Sequence, residues 1–294
     1  MKTGVIGLGA MGAPMALNLH RAGMLAGIWN RSPGPAGAVS GKTGLTPAPD
    51  IAALAATCPL LITCVSRDAD VLDVIEQVAA AASADTLVVD TSTVSDATAR
   101  QAAAMLSERG AGFLDAPVSG GVEGARKGSL AMMVGGPAEL LERAHPALEA
   151  IAANIVHMGP TGAGQASKAV NQIMCAGINQ AVSEGLAFGR ELGLDLDKVL
   201  SVVAGGAAGN WFMDHRGPTM VRGSFAPGFK LNLHHKDLSI CRDMARAHDD
   251  MPPLPIVDMT LEHYERLMQA GFGDEDISAL FRLRSGSLES AAGD

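Results

Sequence analysis

Lys168, Asn171 and Gln172 stand at the i, i+3, i+4 spacing that places three side chains on one helix face. A lysine beside two amides is a set that can pass a proton to and from an alcohol or carbonyl oxygen. Burial and neighbouring cations bring a lysine pKa down toward ~7–8, where it works in both directions, and the amides can orient the oxygen or the ammonium. Most helix lysines are solvated, and spacing alone leaves Lys168 among them. Ser119-Gly120-Gly121, after Asp115-Ala116-Pro117-Val118, can offer backbone N–H groups and a hydroxyl to a carboxylate, or can be a tight turn that binds nothing. Lys236 lies near the expected start of a helix and by itself reads as an ordinary cation there; His234 and His235 read as structural.

A second group of residues points to a nucleotide. Gly7-Leu8-Gly9-Ala10-Met11-Gly12 is a G-x-G-x-x-G run. With 35 glycines in 294 residues the pattern alone says little. Its context says more, because an apolar strand precedes it and a helix follows. There the glycines permit a tight turn and close approach of the backbone to a pyrophosphate at the helix N-terminus. An ordinary strand-to-helix turn is the alternative. At the end of the next strand, where an NAD site commonly places Asp or Glu, this sequence has Asn30-Arg31-Ser32. Arginine can stack on adenine and pair with a 2′-phosphate, and serine can donate to it, so NADP(H) is the expected cofactor with NAD possible at lower preference. The alternative for Arg31 is a surface charge with loose cofactor selectivity.

The elements that must position these groups follow from hydrophobic patterning. Thr3–Ile6, Leu25–Trp29, Leu60–Val65, Thr86–Asp90 and Gly112–Ala116 read as strands. Helices are expected at Met11–Ala22 and near 68–82 and 95–109. Continuous apolar strands joined by helices indicate a parallel sheet covered on both faces. Two more strands, near Leu130–Val134 and Ile155–Met158, surround a helix near 137–152. After Gly159-Pro160 the character changes: Gly164–Gly193 is a long proline-free helical pattern, and 195–204, 236–248, 256–270 and 274–283 also read as helices. The expected fold class is α/β, a doubly wound parallel sheet of Rossmann type in residues 1–160, joined by a long helix to an all-α domain in residues 161–294.

The totals restrict the function classes. Hydrophobic residues make up 48% and charged residues 18%, a globular balance rather than a disordered one. A net charge of -9 argues against nucleic acid or an anionic membrane as partner, though not against a small anionic substrate. Cys58, Cys64, Cys175 and Cys241 form no C-x-x-C pair, and no metal site is expected. No secretory leader and no apolar run of roughly 20 residues is read from the sequence, so a cytoplasmic location is expected.

Four blocks together resemble the β-hydroxyacid dehydrogenase family, which includes 3-hydroxyisobutyrate dehydrogenases and tartronate, glyoxylate and succinic semialdehyde reductases. They are Gly7–Gly12 continuing to Met15-Ala16-Leu17-Asn18-Leu19; Asp115–Gly121; Gly162-Ala163-Gly164-Gln165-Ala166-Ser167-Lys168-Ala169-Val170-Asn171-Gln172; and Lys236-Asp237-Leu238. They occur in the family's order over nearly the whole chain. The resemblance implies that Lys168 is the general acid/base and that Ser119, Gly120 and Gly121 hold a substrate carboxylate. It further implies that Asn171 and Gln172 bind substrate; many members carry Asn where this chain has Gln172. Cofactor contacts are implied for Val65, Ser66, Thr93, Phe229 and Lys236, with Val65-Ser66 replacing a commoner Leu-Pro.

The implied activity is NADP(H)-dependent interconversion of a small 3-hydroxyacid and its semialdehyde. An imine reductase shares the architecture but replaces the lysine, and a non-catalytic cofactor-binding scaffold lacks it, so Lys168 disfavours both. A 6-phosphogluconate-type dehydrogenase would carry a much larger helical domain. Trp211, Phe212 and His215 fall in a segment that shapes the family's pocket, without selecting one substrate. A helix of about 30 residues is hard to cover in one small domain, so a homodimer or homotetramer is expected.

Overall fold

Neighbouring residues of the central strands feed opposite cores. Val5, Leu60, Ile62, Leu87, Val89 and Leu114 pack into one apolar cluster, while Ile6, Leu61, Val88 and Phe113 pack into another. Side chains alternate across a strand, so strands apolar at every position must be covered on both faces. The computed structural model describes residues 1–286; the last part of the helical domain expected from sequence, residues 287–294, lies outside the described residues.

The first half contains β1 (Thr3–Ile6), α1 (Gly12–Arg21), β2 (Leu25–Trp29), α2 (Pro33–Thr43), α3 (Ile51–Thr57), β3 (Leu60–Thr63), α4 (Asp68–Ala81), β4 (Leu87–Asp90), α5 (Asp96–Ser107) and β5 (Gly112–Asp115). It continues with β6 (Val118–Ser119), α6 (Gly121–Lys127), β7 (Leu130–Gly135), α7 (Ala138–Leu148) and β8 (Ala152–Gly159). The sheet order is β2-β1-β3-β4-β5-β7-β6, with β8 on β7. Strands β1 to β5 are parallel, as the chain of strand-helix units requires. The sheet is parallel-dominated, as expected of this fold class, with one reversal beyond β5. β7 runs antiparallel to β5 and β6, and β8 then runs parallel to β7. The chain enters β7 from the short helix α6, without the crossover across the sheet that a parallel neighbour of β5 would need.

The helical half contains α8 (Ala163–Glu191), α9 (Leu196–Ala204), α10 (Trp211–Val221), α11 (Leu231–Arg246), α12 (Pro255–Gln269), a 3-10 turn at Ile277–Leu280 and α13 (Phe281–Arg284). The chain divides into two compact units, Met1–Lys168 and the remainder from Ala169, and the division falls within α8. The second unit has its own core, including Leu200, Phe212, Met220, Leu238, Leu261, Tyr264 and Phe281. Inside it runs a buried polar chain. Asn179 Nδ2 donates to the Tyr264 hydroxyl (3.1 Å), which donates to His234 Nδ1 (3.0 Å), leaving Nε2–H to donate to the Gln172 carbonyl (3.2 Å). Burial pushes the Tyr264 hydroxyl well above its ordinary pKa, so it stays a neutral donor. Among the described residues no helix is long and apolar enough to cross a membrane, and no cluster of side chains could hold a metal ion.

Candidate active site

The glycine turn leaves β1 with Gly7 at φ +89°, a left-handed conformation that a side chain would strain. A Cβ on Gly12 would run into the Gly7 carbonyl oxygen, so the first turn of α1 packs directly on the loop. Asn30 holds the loop from β2: its Oδ1 accepts the Leu8 N–H at 2.7 Å, and its Nδ2 donates to the Ser32 carbonyl at 2.9 Å. Gly9 and Ala10 are exposed, and a Cβ on Gly9 would meet nothing within 4 Å. The result is a bare backbone cradle in front of a helix N-terminus, which fits the pyrophosphate of a dinucleotide.

Beyond it, Asn30, Arg31, Ala36, Gly37, Ser40 and Pro49 line a surface pocket of about 390 Å³. Ser32 is the N-cap of α2, with Pro33 at its first position. The exposed guanidinium of Arg31 pairs with Asp70 at 2.9 Å.

The loops after β3 and β4 are tied together. Ser92 Oγ accepts the Val65 N–H (2.9 Å) and donates to Asp90 Oδ1 (2.6 Å), which also accepts from Thr63 Oγ1 (2.6 Å). Asp90 is completely buried, and desolvation raises its pKa. These bonds fix the backbone around Val65, Ser66 and Thr93 at the carboxyl ends of β3 and β4, the edge where open α/β sheets bind ligands. Ser119 ends β6 and Gly121 begins α6, so the expected turn is a strand-to-helix junction; Gly120 between them has φ +125°.

Asp115, at the end of β5, holds the start of α8. Its Oδ1 accepts the Gly162 N–H (2.8 Å) and its Oδ2 the Gln165 N–H (2.9 Å). Burial pushes the Asp115 carboxyl up to about 6 against the opposing effect of these donors. Gln165 reaches back with its side chain, donating from Nε2 to the Ser92 carbonyl (2.9 Å) and accepting the Val94 N–H at Oε1 (3.2 Å). One turn later Lys168 is buried, with 7% of its surface exposed. The solvated reading that spacing alone allowed is therefore excluded.

In the second unit the Gln172 amide and a lysine share one carboxylate, and Asn171 bonds to that amide. Asn171 Nδ2 donates to Gln172 Oε1 (2.8 Å), and Gln172 Nε2 donates to Asp237 Oδ2 (2.5 Å). Lys236 Nζ pairs with Asp237 Oδ1 at 3.0 Å. Lys236 does not lie at a helix start. α11 begins at Leu231, five residues before it, because Leu231 N–H pairs with the Glu275 carbonyl and Asn232 N–H with that of Gly273. The Phe229 N–H is held by Asp276, which also accepts from Gly228 and Arg216. Sequence reasoning named neither Gln165 nor Asp237 as a site residue. Both lie inside quoted motif blocks, and Asp237 adjoins Lys236, which was the available signal.

Comparison with known proteins gives this arrangement a family. Residues 2–159 match the model of the NAD binding domain of 6-phosphogluconate dehydrogenase. Residues 162–284 match that of the NAD-binding domain of NADP-dependent 3-hydroxyisobutyrate dehydrogenase. The chain belongs to the β-hydroxyacid dehydrogenase family. It is similar to 2-hydroxy-3-oxopropionate reductase of Escherichia coli, with 37% identity over 84% of this chain and 85% of that one. It is also similar to an NAD-dependent L-serine dehydrogenase of Pseudomonas aeruginosa, with 33% identity over 95% and 96%. The solved 3-hydroxyisobutyrate dehydrogenase of Mycobacterium tuberculosis with L-serine superposes with a TM-score of 0.88 at 33% identity, covering 96% of this chain and 98% of that chain. As a β-hydroxyacid dehydrogenase family member the chain is an oxidoreductase acting on CH–OH donors with an NAD(P)-binding domain.

Proposed function

We propose that the chain reduces a small semialdehyde bearing a carboxylate to its 3-hydroxyacid, and catalyses the reverse, with NADP(H) as the preferred cofactor. The observation that carries this reading is the buried Lys168, on the turn of α8 that follows the Asp115 and Gln165 anchors. When bound, the nicotinamide exchanges the hydride with the substrate carbon. Lys168 supplies the proton to the carbonyl oxygen in reduction and takes it from the hydroxyl in oxidation. Its burial keeps bulk water from competing for that exchange.

The Ser119–Gly121 junction takes the substrate carboxylate through the Ser119 hydroxyl and backbone N–H groups. Asn171 and Gln172 offer amide hydrogen bonds to substrate, and Lys236 adds positive charge. Gly7–Gly12 receive the pyrophosphate, with Asn30 holding their backbone, while Val65, Ser66, Thr93 and Phe229 contact the rest of the cofactor. Arg31 and Ser32 favour NADP(H): both stand at the positive N-terminal end of α2, and no carboxylate replaces them to select a ribose 2′-hydroxyl. The working form is a cytoplasmic homodimer or homotetramer. Val170, Met174 and Ile178, four residues apart along α8, are exposed apolar groups that a second copy would cover.

The test is NADPH oxidation with succinic semialdehyde, glyoxylate, tartronate semialdehyde and a cyclic imine side by side, for the wild type and Lys168→Ala. Turnover of a semialdehyde, lost in the variant while NADPH still binds, is expected. Turnover of the imine alone would replace this reading with an imine reductase. NADPH binding with no turnover of any of the four would favour a non-catalytic scaffold.

A further inference from the structure

We propose that Gln165 is a positioning residue that sets the cofactor loop against the proton-transfer lysine, a role that rests on the function proposed above. Gln165 is 1% exposed, and its amide spans a single residue of the loop after β4. Nε2 donates to the carbonyl of Ser92 and Oε1 accepts the N–H of Val94, on either side of Thr93. This is the bonding that the backbone of a parallel neighbouring strand would give Thr93, supplied instead by a side chain.

The same residue is fixed from below. Its own N–H donates to Asp115 Oδ2, so β5 determines where the amide stands. Ser92, one of the two groups it grips, also carries the hydroxyl that holds Val65 and Asp90. Gln165 thus joins three strand ends to one helix turn, and Lys168 follows three residues later on that helix. A buried amide is costly unless its hydrogen bonds are made, and an apolar side chain of similar size would fill the space without that requirement. What the amide adds is register. Rotation or sliding of α8 by a fraction of a turn would break both bonds, so they hold Lys168 at a set distance from Thr93.

The experiment compares Gln165→Leu and Gln165→Glu with the wild type. Leucine removes both bonds; glutamate keeps the acceptor for Val94 N–H and loses the donor to the Ser92 carbonyl. Expected is a graded fall in kcat, about 100-fold for leucine and about 10-fold for glutamate, as for a catalytic group displaced by around 1 Å. The NADPH Kd and the semialdehyde KM should stay within about 3-fold of wild type, since neither contact is removed. Amide exchange in the peptide covering residues 92–98 should quicken in both variants, with a modest fall in Tm from the unmatched Ser92 carbonyl and, in Gln165→Leu, the Val94 N–H.

Unchanged kcat in Gln165→Leu with faster exchange would overturn the positioning role, as would unchanged exchange. A parallel collapse of kcat, Kd and Tm would show a merely structural residue. If Gln165→Leu does not fold, Gln165→Glu carries the same comparison. Wild-type turnover and its loss in Lys168→Ala test the function separately. If the wild type turns over nothing, the proposed function falls, and unchanged exchange at residues 92–98 still removes the clamp.

Discussion

Gln172 Nε2 donates to Asp237 Oδ2 at 2.5 Å, and this one bond decides which end of the Gln172 amide is which. With the donor end turned to Asp237 and Oε1 accepting from Asn171, both ends of the Gln172 amide are held. Asp237 also neutralises Lys236. Removing the carboxylate therefore strands a buried amide and a cation together.

Asp237→Leu should lower stability by about 2–4 kcal/mol, the cost of leaving buried polar partners unmatched. It should also raise the substrate KM, because Gln172 and Lys236 lose their set orientation. Asp237→Asn keeps the shape and should recover most of the stability while kcat/KM stays low. Chemical denaturation and steady-state kinetics on both variants check this, and equal loss in the two would point to charge alone.

Arg31→Ala should weaken NADPH by about 10-fold or more and NADH by under about 3-fold, since only the former carries a 2′-phosphate for the guanidinium. The pair with Asp70 is exposed and contributes little, so its loss should leave Tm nearly unchanged. Asp70→Asn frees Arg31 and should tighten NADPH slightly. Equal losses for both cofactors in Arg31→Ala would mean that Arg31 does not read the 2′-phosphate. Fluorescence titration with each cofactor separates the outcomes.

Asp115 ionises at about 6 in the folded chain and at about 3.8 when unfolded. Between those values the folded chain holds the extra proton, so the contribution of Asp115 to stability is full below about pH 4 and declines as pH rises to about 6. The whole change is at most about 3 kcal/mol. Asp115→Asn does not titrate, so the stability of the wild type minus that of the variant should fall as pH rises across that window. A wild-type stability that rises relative to the variant across that window would place the folded-state Asp115 pKa below 3.8 and make the two N–H donors dominant.

Light scattering at micromolar concentration should give at least twice the monomer mass. A monomer would mean that the exposed Val170, Met174 and Ile178 need no partner.

The strands were legible because apolar runs such as Leu60–Thr63 and Leu87–Asp90 have few alternatives in a chain whose helices are alanine-rich. The direction of β7 was not, since apolar patterning is the same for parallel and antiparallel pairing. α2 is hard to read from sequence because Pro33, Pro35 and three glycines mask its helical signal; proline at a helix start lacks only an N–H that has no partner there anyway. α10 was hidden in the same way by Gly217 and Pro218. At the site, the glycine turn was readable from its place after β1. Gln165 was not, because its partners are the main-chain groups of Ser92 and Val94, and a peptide group carries no mark in the sequence. The Asp237 bond joins residues 65 positions apart, a distance at which a single sequence holds no record of contact.

The three glycines of the turn after β1 are unequal as tools for dissection. A methyl group on Gly7 or Gly12 strikes main chain, so alanine at either place is a folding lesion, and lost nucleotide affinity there would say nothing about recognition. At Gly9 the same methyl projects into open space. Gly9→Ala is thus the substitution that can obstruct a phosphate while sparing the scaffold. A mutational scan that averaged the motif would blend two kinds of failure that the geometry keeps apart.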